Sequence, residues 1–235
     1  LTFTGNSAGN AGGGLFNNQL NEGGNTALIN RVVFSQNSVL SGKGGGLHNF
    51  ASNPTLIDIE FRGNEAQEGG GVSNQFGSDA TYINSLFSGN RANAFGGGVT
   101  IEQSDISLIN VTISGNNGGG SGGGIFNNGG NIAVTNSIVW GNSRGADEFG
   151  LGTLEANVSN NGGSSTFTHS IIQESGGSAD WNTDTGTDGG NNVDSEPFFK
   201  TPIDLLGSIP TVAGDFNLTS GSAAINSGDQ AKNGQ

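Results

Sequence analysis

The sequence predicts an all-β protein, a single-stranded parallel β-helix built from coils of about 26 residues. Two observations support this prediction. The chain of 235 residues contains 45 glycines and 32 asparagines. Glycine inside a helix costs about 1 kcal/mol relative to alanine, so this composition excludes a helical bundle. Two short phrases also recur along the chain at nearly constant intervals, which is typical of a solenoid.

The first phrase is Phe-x-Gly-Asn or a close variant, and the asparagines that end its copies are 31, 27, 26, 26 and 26 residues apart. The second phrase is Gly-Gly-Gly-aliphatic, which advances in steps of 32, 25, 27 and 26 residues. The two phrases therefore advance together, and the longer first step indicates a loop insertion. A unit of this length is too short for a propeller blade and fits one coil of a parallel β-helix.

Successive coils stack about 4.8 Å apart, so residues one repeat apart form columns that predict the interior. Three columns are large and apolar. They are Phe34/Phe61/Phe87/Ile113/Val139, Leu28/Leu56/Tyr82/Leu108/Val134 and Leu15/Leu47/Val72/Val99/Ile125. One large residue per face in each coil explains how a chain that is only 31% hydrophobic can fill a narrow tube.

Asparagine columns are predicted at the corners, because asparagine tolerates the left-handed backbone conformation and its amide can hydrogen-bond to the equivalent amide above and below. Another column follows an interior column by one position and should face outward by strict alternation. It consists of Ile29, Ile57, Ile83, Ile109 and Thr135. This column is either a docking surface or a place where the strand bends, and we favour the bend.

Two segments carry a family resemblance: Gly-Gly-Gly-Ile-Phe-Asn-Asn at 122–128 and Thr-Asn-Ser-Ile-Val-Trp-Gly-Asn at 135–142. They resemble the repeats of bacterial right-handed parallel β-helix proteins, including the polymorphic outer-membrane-protein type. Residues 215–228 are similar to the segment that follows the coils in secreted, surface-anchored members. The resemblance implies this fold over nearly the whole chain and a location outside the bacterial cell or on its surface. Because the chain starts within a repeat at Leu1, we expect it to be a piece of a longer protein.

The periodicity divides the chain into three regions. Residues 1–143 are the regular coils, residues 144–200 hold one or two further coils with a long acidic loop insertion, and residues 201–235 form an irregular C-terminal segment. A further coil is predicted because residues 169–173 repeat the strand at 136–139. We expect the C-terminal segment to cover the last coil, since an open end invites edge-to-edge association.

Charge and composition exclude several classes of function. Twenty acidic and seven basic residues give a formal net charge of −13, so we expect no nucleic-acid partner. No apolar run is long enough to predict a membrane span. The chain has no cysteine, which excludes disulfides, thiol catalysis and cysteine-based metal sites.

Column alignment sets three basic residues beside acidic residues of neighbouring coils. The pairs are Arg31 with Asp58, Lys43 with Glu68, and Arg91 with Glu65. We interpret them as structural pairs between rungs, with a binding role as the alternative. The remaining basic residues are Arg62, Arg144, Lys200 and Lys232. They do not converge on one coil, so no polysaccharide-lyase centre is predicted.

A glycoside hydrolase needs two carboxylates about 5–10 Å apart. The candidate pairs are Asp58 with Glu60 and Glu102 with Asp105. We favour structural roles for both pairs and predict no catalytic residue. The two histidines, His48 and His169, lie far apart in the sequence, so a shared metal site is not expected. His48 is expected to be an exposed residue on one face of the tube.

One acidic segment, residues 180–188, resembles the start of a Ca²⁺-binding loop, because oxygen-bearing side chains stand at alternate positions. The predicted ligands are Asp180, Asn182, Asp184 and Asp188, with Asp194 or Glu196 as a closing ligand. The match is partial, since the glycine falls one place late and no glutamate stands at the twelfth position. The alternative is a solvated acidic loop.

These features predict a non-enzymatic extracellular module of a bacterial surface or secreted protein. It would serve as a stalk, as an adhesive surface for a glycan or cell-surface ligand, or as a self-associating fibre subunit that stacks coil end to coil end. The alternative is a polysaccharide-binding or polysaccharide-cleaving β-helix similar to pectate lyases.

Overall fold

The computed structural model describes residues 1–19, 26–145, 154–225 and 228. This part of the chain contains 26 β-strands and one short α-helix. Strands of successive coils pair in parallel and form three long sheets around a single tube. The predicted right-handed parallel β-helix is therefore confirmed.

The first sheet contains twelve strands. They are β1 (Thr2–Thr4), β4 (Leu28–Ser35), β7 (Thr55–Arg62), β10 (Thr81–Ile83), β11 (Leu86–Ser88), β14 (Ile106–Ile109), β15 (Thr112–Ser114), β18 (Asn131–Thr135), β19 (Ile138–Trp140), β22 (Ser164–Thr168), β23 (Ile171–Ile172) and β24 (Thr187–Asp188). The long strands β4 and β7 are each continued, in later coils, by two shorter strands.

The second sheet contains six strands: β2 (Ser7–Ala8), β5 (Ser38–Lys43), β8 (Glu65–Glu68), β12 (Arg91–Phe95), β16 (Asn117–Gly118) and β20 (Ser143–Arg144). The third sheet also contains six: β3 (Leu15–Asn18), β6 (Leu47–Phe50), β9 (Val72–Gln75), β13 (Val99–Glu102), β17 (Ile125–Asn128) and β21 (Val158–Asn160). The helix α1 (Leu154–Asn157) directly precedes β21. No helix in the described residues is long and apolar enough to cross a membrane.

Strand register confirms two of the three predicted interior columns in full and the third from Leu56 onward. In the first sheet, Phe34 pairs with Phe61, and Phe61 pairs with Phe87. In the third sheet, Leu47 pairs with Val72 in the same way. These side chains are all buried. Phenylalanine rings also stack along the tube, with centroids 5.0 Å apart for Phe34 and Phe61 and 4.9 Å apart for Phe61 and Phe87.

The prediction for Leu28 was wrong. Leu28 pairs with Thr55 and is 66% exposed, whereas Ile29 pairs with Leu56 and packs against the core. Side chains of a strand alternate between its two faces, so a slip of one residue exchanges inside for outside. The 27-residue step from Phe34 to Phe61 also separates Ile29 from Leu56, which identifies Ile29 as the interior residue.

The aliphatic column beside this interior column lies at a bend. Ile57, Ile83 and Ile109 are half-buried. The residue that follows Ile57 is Asp58, with φ of 56°, and the equivalent residues of the next two coils also have positive φ. This left-handed residue turns the strand and separates β10 from β11 and β14 from β15. The bend that we favoured is present in each of these coils.

A buried asparagine ladder runs along one corner of the tube. In each rung, the backbone N–H and the side-chain amide of one asparagine donate to the side-chain oxygen of the next, as Asn64 does to Asn90, both at 2.9 Å. The amide of Asn90 also donates to the carbonyl of Phe61 at 2.9 Å. The ladder consists of Asn6, Asn37, Asn64, Asn90, Asn116, Asn142 and Asn157. It satisfies polar groups that the corner buries.

The coils continue beyond residue 143. Ile171 pairs with Ile138 and Ile172 pairs with Val139, so the predicted further strand is confirmed. Part of the predicted insertion, residues 146–153, lies outside the described residues, as do 226–227 and 229–235.

Residues 197–225, which we call the strap, run along the side of the tube, although we expected the C-terminal segment to lie over the last coil. The strap contains an antiparallel pair, β25 (Phe199–Thr201) and β26 (Asp215–Leu218). The backbone N–H of Thr211 donates to the carbonyl of Gly89 at 2.9 Å, and Arg91 Nη1 donates to the carbonyl of Ile209 at 3.5 Å. The strap thus contacts a coil in the middle of the tube.

Candidate functional site

A groove of about 630 Å³ lies between the first sheet and the strap. The polar residues that line it are Asp58, Glu60, Arg62, Asn84, Ser85, Asn110 and Thr112 on the side of the sheet, and Asp215 and Asn217 on the strap. Asp58, Glu60 and Arg62 alternate along β7 with the buried Ile59 and Phe61, which is why all three face outward.

The two carboxylates that β7 contributes already have partners. Arg62 Nε lies 2.6 Å from Glu60 Oε2. Arg31 Nε lies 3.8 Å from Asp58 Oδ2, and Asn84 Nδ2 donates to Asp58 Oδ1 at 3.3 Å. The predicted pair of Asp58 and Glu60 therefore lines one groove, but each member is bound to its own cation.

The strap brings a third carboxylate and a further cation to this groove. Asp215 accepts hydrogen bonds from the backbone N–H and the side-chain amide of Asn217, at 3.1 and 2.6 Å, and lies 3.1 Å from Lys200 Nζ. The bonds from Asn217 and Lys200 hold the pKa of Asp215 below its ordinary value. Arg62 lines the groove, and Lys200 pairs with Asp215, which also lines it. The sequence had predicted that these two cations do not converge. The strap has no repeat, so no column could predict its position.

A second polar cluster combines residues at the ends of strands from the second and third sheets. Lys43 Nζ lies 2.9 Å from Glu68 Oε2 and 2.7 Å from Glu102 Oε2, and Gln75 Nε2 also donates to Glu102. We call these four residues the ionic centre. Burial acts to lower the pKa of Lys43, but its hydrogen bonds to both glutamates outweigh this effect and raise the pKa. Burial acts to raise the pKa of Glu102, but the hydrogen bonds from Lys43 and Gln75, together with the charge of Lys43, outweigh that effect and lower the pKa.

All three predicted ion pairs between rungs are present. Their N–O distances are 3.8 Å for Arg31 and Asp58, 2.9 Å for Lys43 and Glu68, and 3.9 Å for Arg91 and Glu65. The pairing of Lys43 with Glu102 was missed, because it spans two coils and column alignment compares adjacent ones.

The other predicted carboxylate pair, Glu102 and Asp105, is divided between two networks. Asp105 Oδ1 accepts bonds from the backbone N–H and the side-chain amide of Asn131, both at 2.9 Å. Glu102 belongs to the ionic centre. Each carboxylate therefore has a partner of its own.

The prediction that His48 is exposed was wrong. His48 is 3% exposed, and its ring centroid lies 5.2 Å from that of Phe16 and 6.2 Å from that of Phe50. Burial, together with the nearby charge of Lys43, lowers the pKa of His48 to about 4. The imidazole is therefore neutral at pH 7. The other histidine, His169, lies with its Nε2 3.0 Å from Asn191 Nδ2.

Phenylalanine rings border the ionic centre on both sides. On one side, Phe50 follows His48 and its ring centroid lies 5.1 Å from that of Phe76. On the other side, Phe95 stacks on Phe126 at 4.6 Å. We call the surface formed by Phe16, His48, Phe50, Phe76, Phe95, Phe126 and the ionic centre the aromatic face. Strand alternation could have located Phe16, Phe50 and Phe126, which stand one or three positions after an interior aliphatic residue.

The predicted calcium loop belongs to the last coil. Asp188 Oδ1 accepts hydrogen bonds from Ser178 Oγ at 2.8 Å, Gly190 N at 2.9 Å and Asn192 Nδ2 at 2.6 Å. Burial acts to raise the pKa of Asp188, and these bonds outweigh it and lower the pKa. Asp188 is therefore held as an anion by the protein's own donors.

The other predicted ligands are arranged differently. Asn182 Oδ1 accepts the backbone N–H of Asp184 at 3.0 Å, and Asp194 accepts the backbone N–H groups of Glu174 and Gly176 at 3.1 and 3.0 Å. Asp180, Asp184 and Glu196 are exposed. Over the described ranges, no group of three or more histidine or acidic residues could hold a metal ion. The calcium site stays a prediction.

The strand pairing, the groove and the aromatic face define a parallel β-helix protein with two polar surface sites. A scan against protein-family models and searches of curated proteins and of solved structures found no match to the chain. The likeness to polymorphic outer-membrane-protein repeats therefore stays a prediction, whereas the fold itself is established by the strand pairing.

Proposed function

We propose that this chain is a non-enzymatic extracellular module of a bacterial surface or secreted protein, which acts as a stiff spacer and an adhesive surface. The stacked coils support the mechanical part of this role, because each coil is bonded to its neighbours by strands on three sheets and by the asparagine ladder. The acidic surface keeps such a tube soluble and repels polyanions.

The observation that carries the proposal is that the candidate acid and base groups are bound to structural partners. Glu60 is bound to Arg62, and Glu102 is bound to Lys43. His48 is buried, and its pKa of about 4 makes it a weak base. Groups in these states position a ligand and stabilise the fold, and they are poorly placed to exchange protons with a substrate.

The experiment that tests this function is an incubation with a panel of uronate and neutral polysaccharides. Unsaturated uronate products would be followed by absorbance and new chain ends by a reducing-sugar assay, and co-sedimentation with the insoluble polysaccharides would measure adhesion. We expect adhesion without either product. Products that a Glu60→Gln variant no longer forms would overturn the proposal.

The groove favours a second candidate, a polysaccharide-binding or polysaccharide-cleaving β-helix. Three carboxylates, each paired with a cation, meet at a cleft large enough for several sugar units. The same incubation discriminates the two, with Asp215→Asn as a second variant. Turnover that depends on Glu60 and Asp215 would establish the enzyme, and binding in the groove without turnover would establish a lectin-like role.

Self-association by stacking of coil ends and calcium binding by the acidic loop are subsidiary proposals. Electron microscopy of the purified protein, with calcium and with a chelator, addresses both. Fibres in either condition would support end-to-end stacking, and fibres only with calcium would connect stacking to the loop. Single particles in both conditions would contradict stacking.

A further inference from the structure

The outward side of the third sheet carries a continuous strip of aromatic rings. Phe16 is 45% exposed and Phe76 is 49% exposed. A single exposed phenylalanine is ordinary, but these two are connected through His48 and Phe50. The centroid distances along the strip are 5.2, 6.2 and 5.1 Å. The strip is thus one surface that extends over three coils.

Polar groups in fixed positions separate this strip from the second pair of rings. Glu102 lies on β13, between β6, which carries Phe50, and β17, which carries Phe126. Its carboxylate is held by Lys43 and by the amide of Gln75. The aromatic face therefore presents exposed rings, then a partly exposed carboxylate with its ammonium, then the second pair of rings. In that pair Phe95 is 37% exposed and Phe126 is buried beneath it.

This order of groups matches the chemistry of a carbohydrate chain. The C–H faces of a pyranose ring pack against aromatic rings, while its hydroxyls donate to a carboxylate and accept from an ammonium or an amide. From Phe16 to Phe126 the face crosses four rungs of the third sheet, which is about 19 Å at about 4.8 Å per rung. That length suits several linked sugars.

The charge of the chain selects among carbohydrates. A net charge of −13 repels uronate polymers and other polyanions. The ionic centre adds to this repulsion, since Lys43 bridges two glutamates, which leaves an excess of negative charge and no free cation in the centre for a sugar carboxylate. The face therefore favours uncharged sugars.

We propose that the aromatic face binds a neutral polysaccharide chain, which lies along the tube axis across the coils. This inference rests on the proposed adhesive function and names the ligand class of that adhesion. It assigns stacking to Phe16 and Phe76 and hydroxyl recognition to Glu102, which the buried Gln75 helps to hold in place.

The test is calorimetric titration of the whole chain with cellohexaose, mannohexaose and maltohexaose, and with hexagalacturonate as the charged comparison. We expect at least one neutral hexasaccharide to bind and hexagalacturonate not to bind. Phe16→Ala and Phe76→Ala should each weaken binding by about tenfold, the range of one aromatic contact. Phe198→Ala is the matched control, because Phe198 is 46% exposed but lies on the strap. It should leave affinity unchanged.

Hydrogen exchange on the unmodified protein keeps the proposal testable if a variant fails to fold. A bound hexasaccharide should protect β6, β9 and β13. Protection of β7 and the strap instead would place the sugar in the groove and overturn the proposal. Equal binding of hexagalacturonate, or no binding of any neutral sugar, would also overturn it. Dimers that are seen by sedimentation and are abolished by Phe76→Ala would overturn it as well, because the face would then be an interface between two copies of the chain. Cleavage of a sugar would contradict the proposed function, whereas absence of binding without cleavage would contradict only this inference.

Discussion

Removing one rung of the buried asparagine ladder should destabilise the protein far more than its small volume suggests. In Asn90→Ala, four side-chain hydrogen bonds are lost: two from Asn64, one to Phe61 and one to Asn116. At roughly 1 kcal/mol for each bond, the loss is about 4 kcal/mol, and partners left buried without a hydrogen bond increase it. Such a loss is a large fraction of the stability of a typical domain.

The matched control is Asn131→Ala, because Asn131 is an exposed asparagine whose side chain also bonds to the two neighbouring coils. Asn131 Nδ2 donates to Asp105 at 2.9 Å, and its side-chain oxygen accepts from Ser164 at 2.8 Å. Water replaces both bonds when the side chain is removed, so we expect a loss below about 1 kcal/mol. Urea unfolding, followed by the fluorescence of the two tryptophans, measures both variants. If Asn90→Ala loses no more stability than Asn131→Ala, the reasoning about the buried ladder is refuted.

Three further predictions follow from the structure. Gly89 (φ +61°) and Gly141 (φ +65°) occupy equivalent left-handed corners, so the backbone strain of an alanine at either position should lower the free energy of unfolding by about 1 kcal/mol. Of the two, only Gly89→Ala would bring its new Cβ against the carbonyl of Thr211. Only Gly89→Ala should therefore displace the strap and expose it to proteolysis. Equal proteolysis of the two variants would show that the strap is not held at Gly89. Burial holds the pKa of His48 at about 4 in the folded protein, whereas its ordinary value in the unfolded chain is 6.5. Between pH 4 and pH 6.5 the unfolded chain therefore binds a proton that the folded protein does not bind. Stability should therefore fall by about 3 kcal/mol as the pH drops from 6.5 to 4, relative to His48→Gln, and parallel pH profiles of the two proteins would contradict this. Calcium titrated into chelator-treated protein should release or absorb heat, and Asp184→Asn should weaken the binding; no heat at millimolar calcium would remove the predicted site.

The repeat made most of the fold predictable, because parallel stacking converts sequence spacing directly into position. Phe34, Phe61 and Phe87 share one column for this reason. The prediction failed for Leu28, where the preceding loop obscures which of two adjacent aliphatic residues begins the column. Because side chains alternate between the two faces of a strand, an error of one residue exchanges interior for exterior. Only the 27-residue step determines that Ile29 is interior.

The candidate sites were less predictable, because they depend on contacts outside the repeat. The strap has no repeat, and its path decides that Asp215 and Lys200 reach the groove. Lys43 reaches Glu102 because a long side chain spans two rungs. His48 is covered by Phe16, which shares its column, and by Phe50, which belongs to another column. Its burial therefore could not be predicted from one column alone.

The hydrogen bonds between coils point along the tube axis, and this direction determines how the protein would respond to tension. A load applied at Leu1 would act on the outermost coil first, since strand pairing joins each coil only to its neighbours, whereas a load from the C-terminal side would first act on the strap. Detachment of one coil would release about 26 residues, or about 90 Å of extended chain. Under force, such a tether would lengthen by unspooling in nearly equal steps, absorbing work at each step while the remaining coils stay folded.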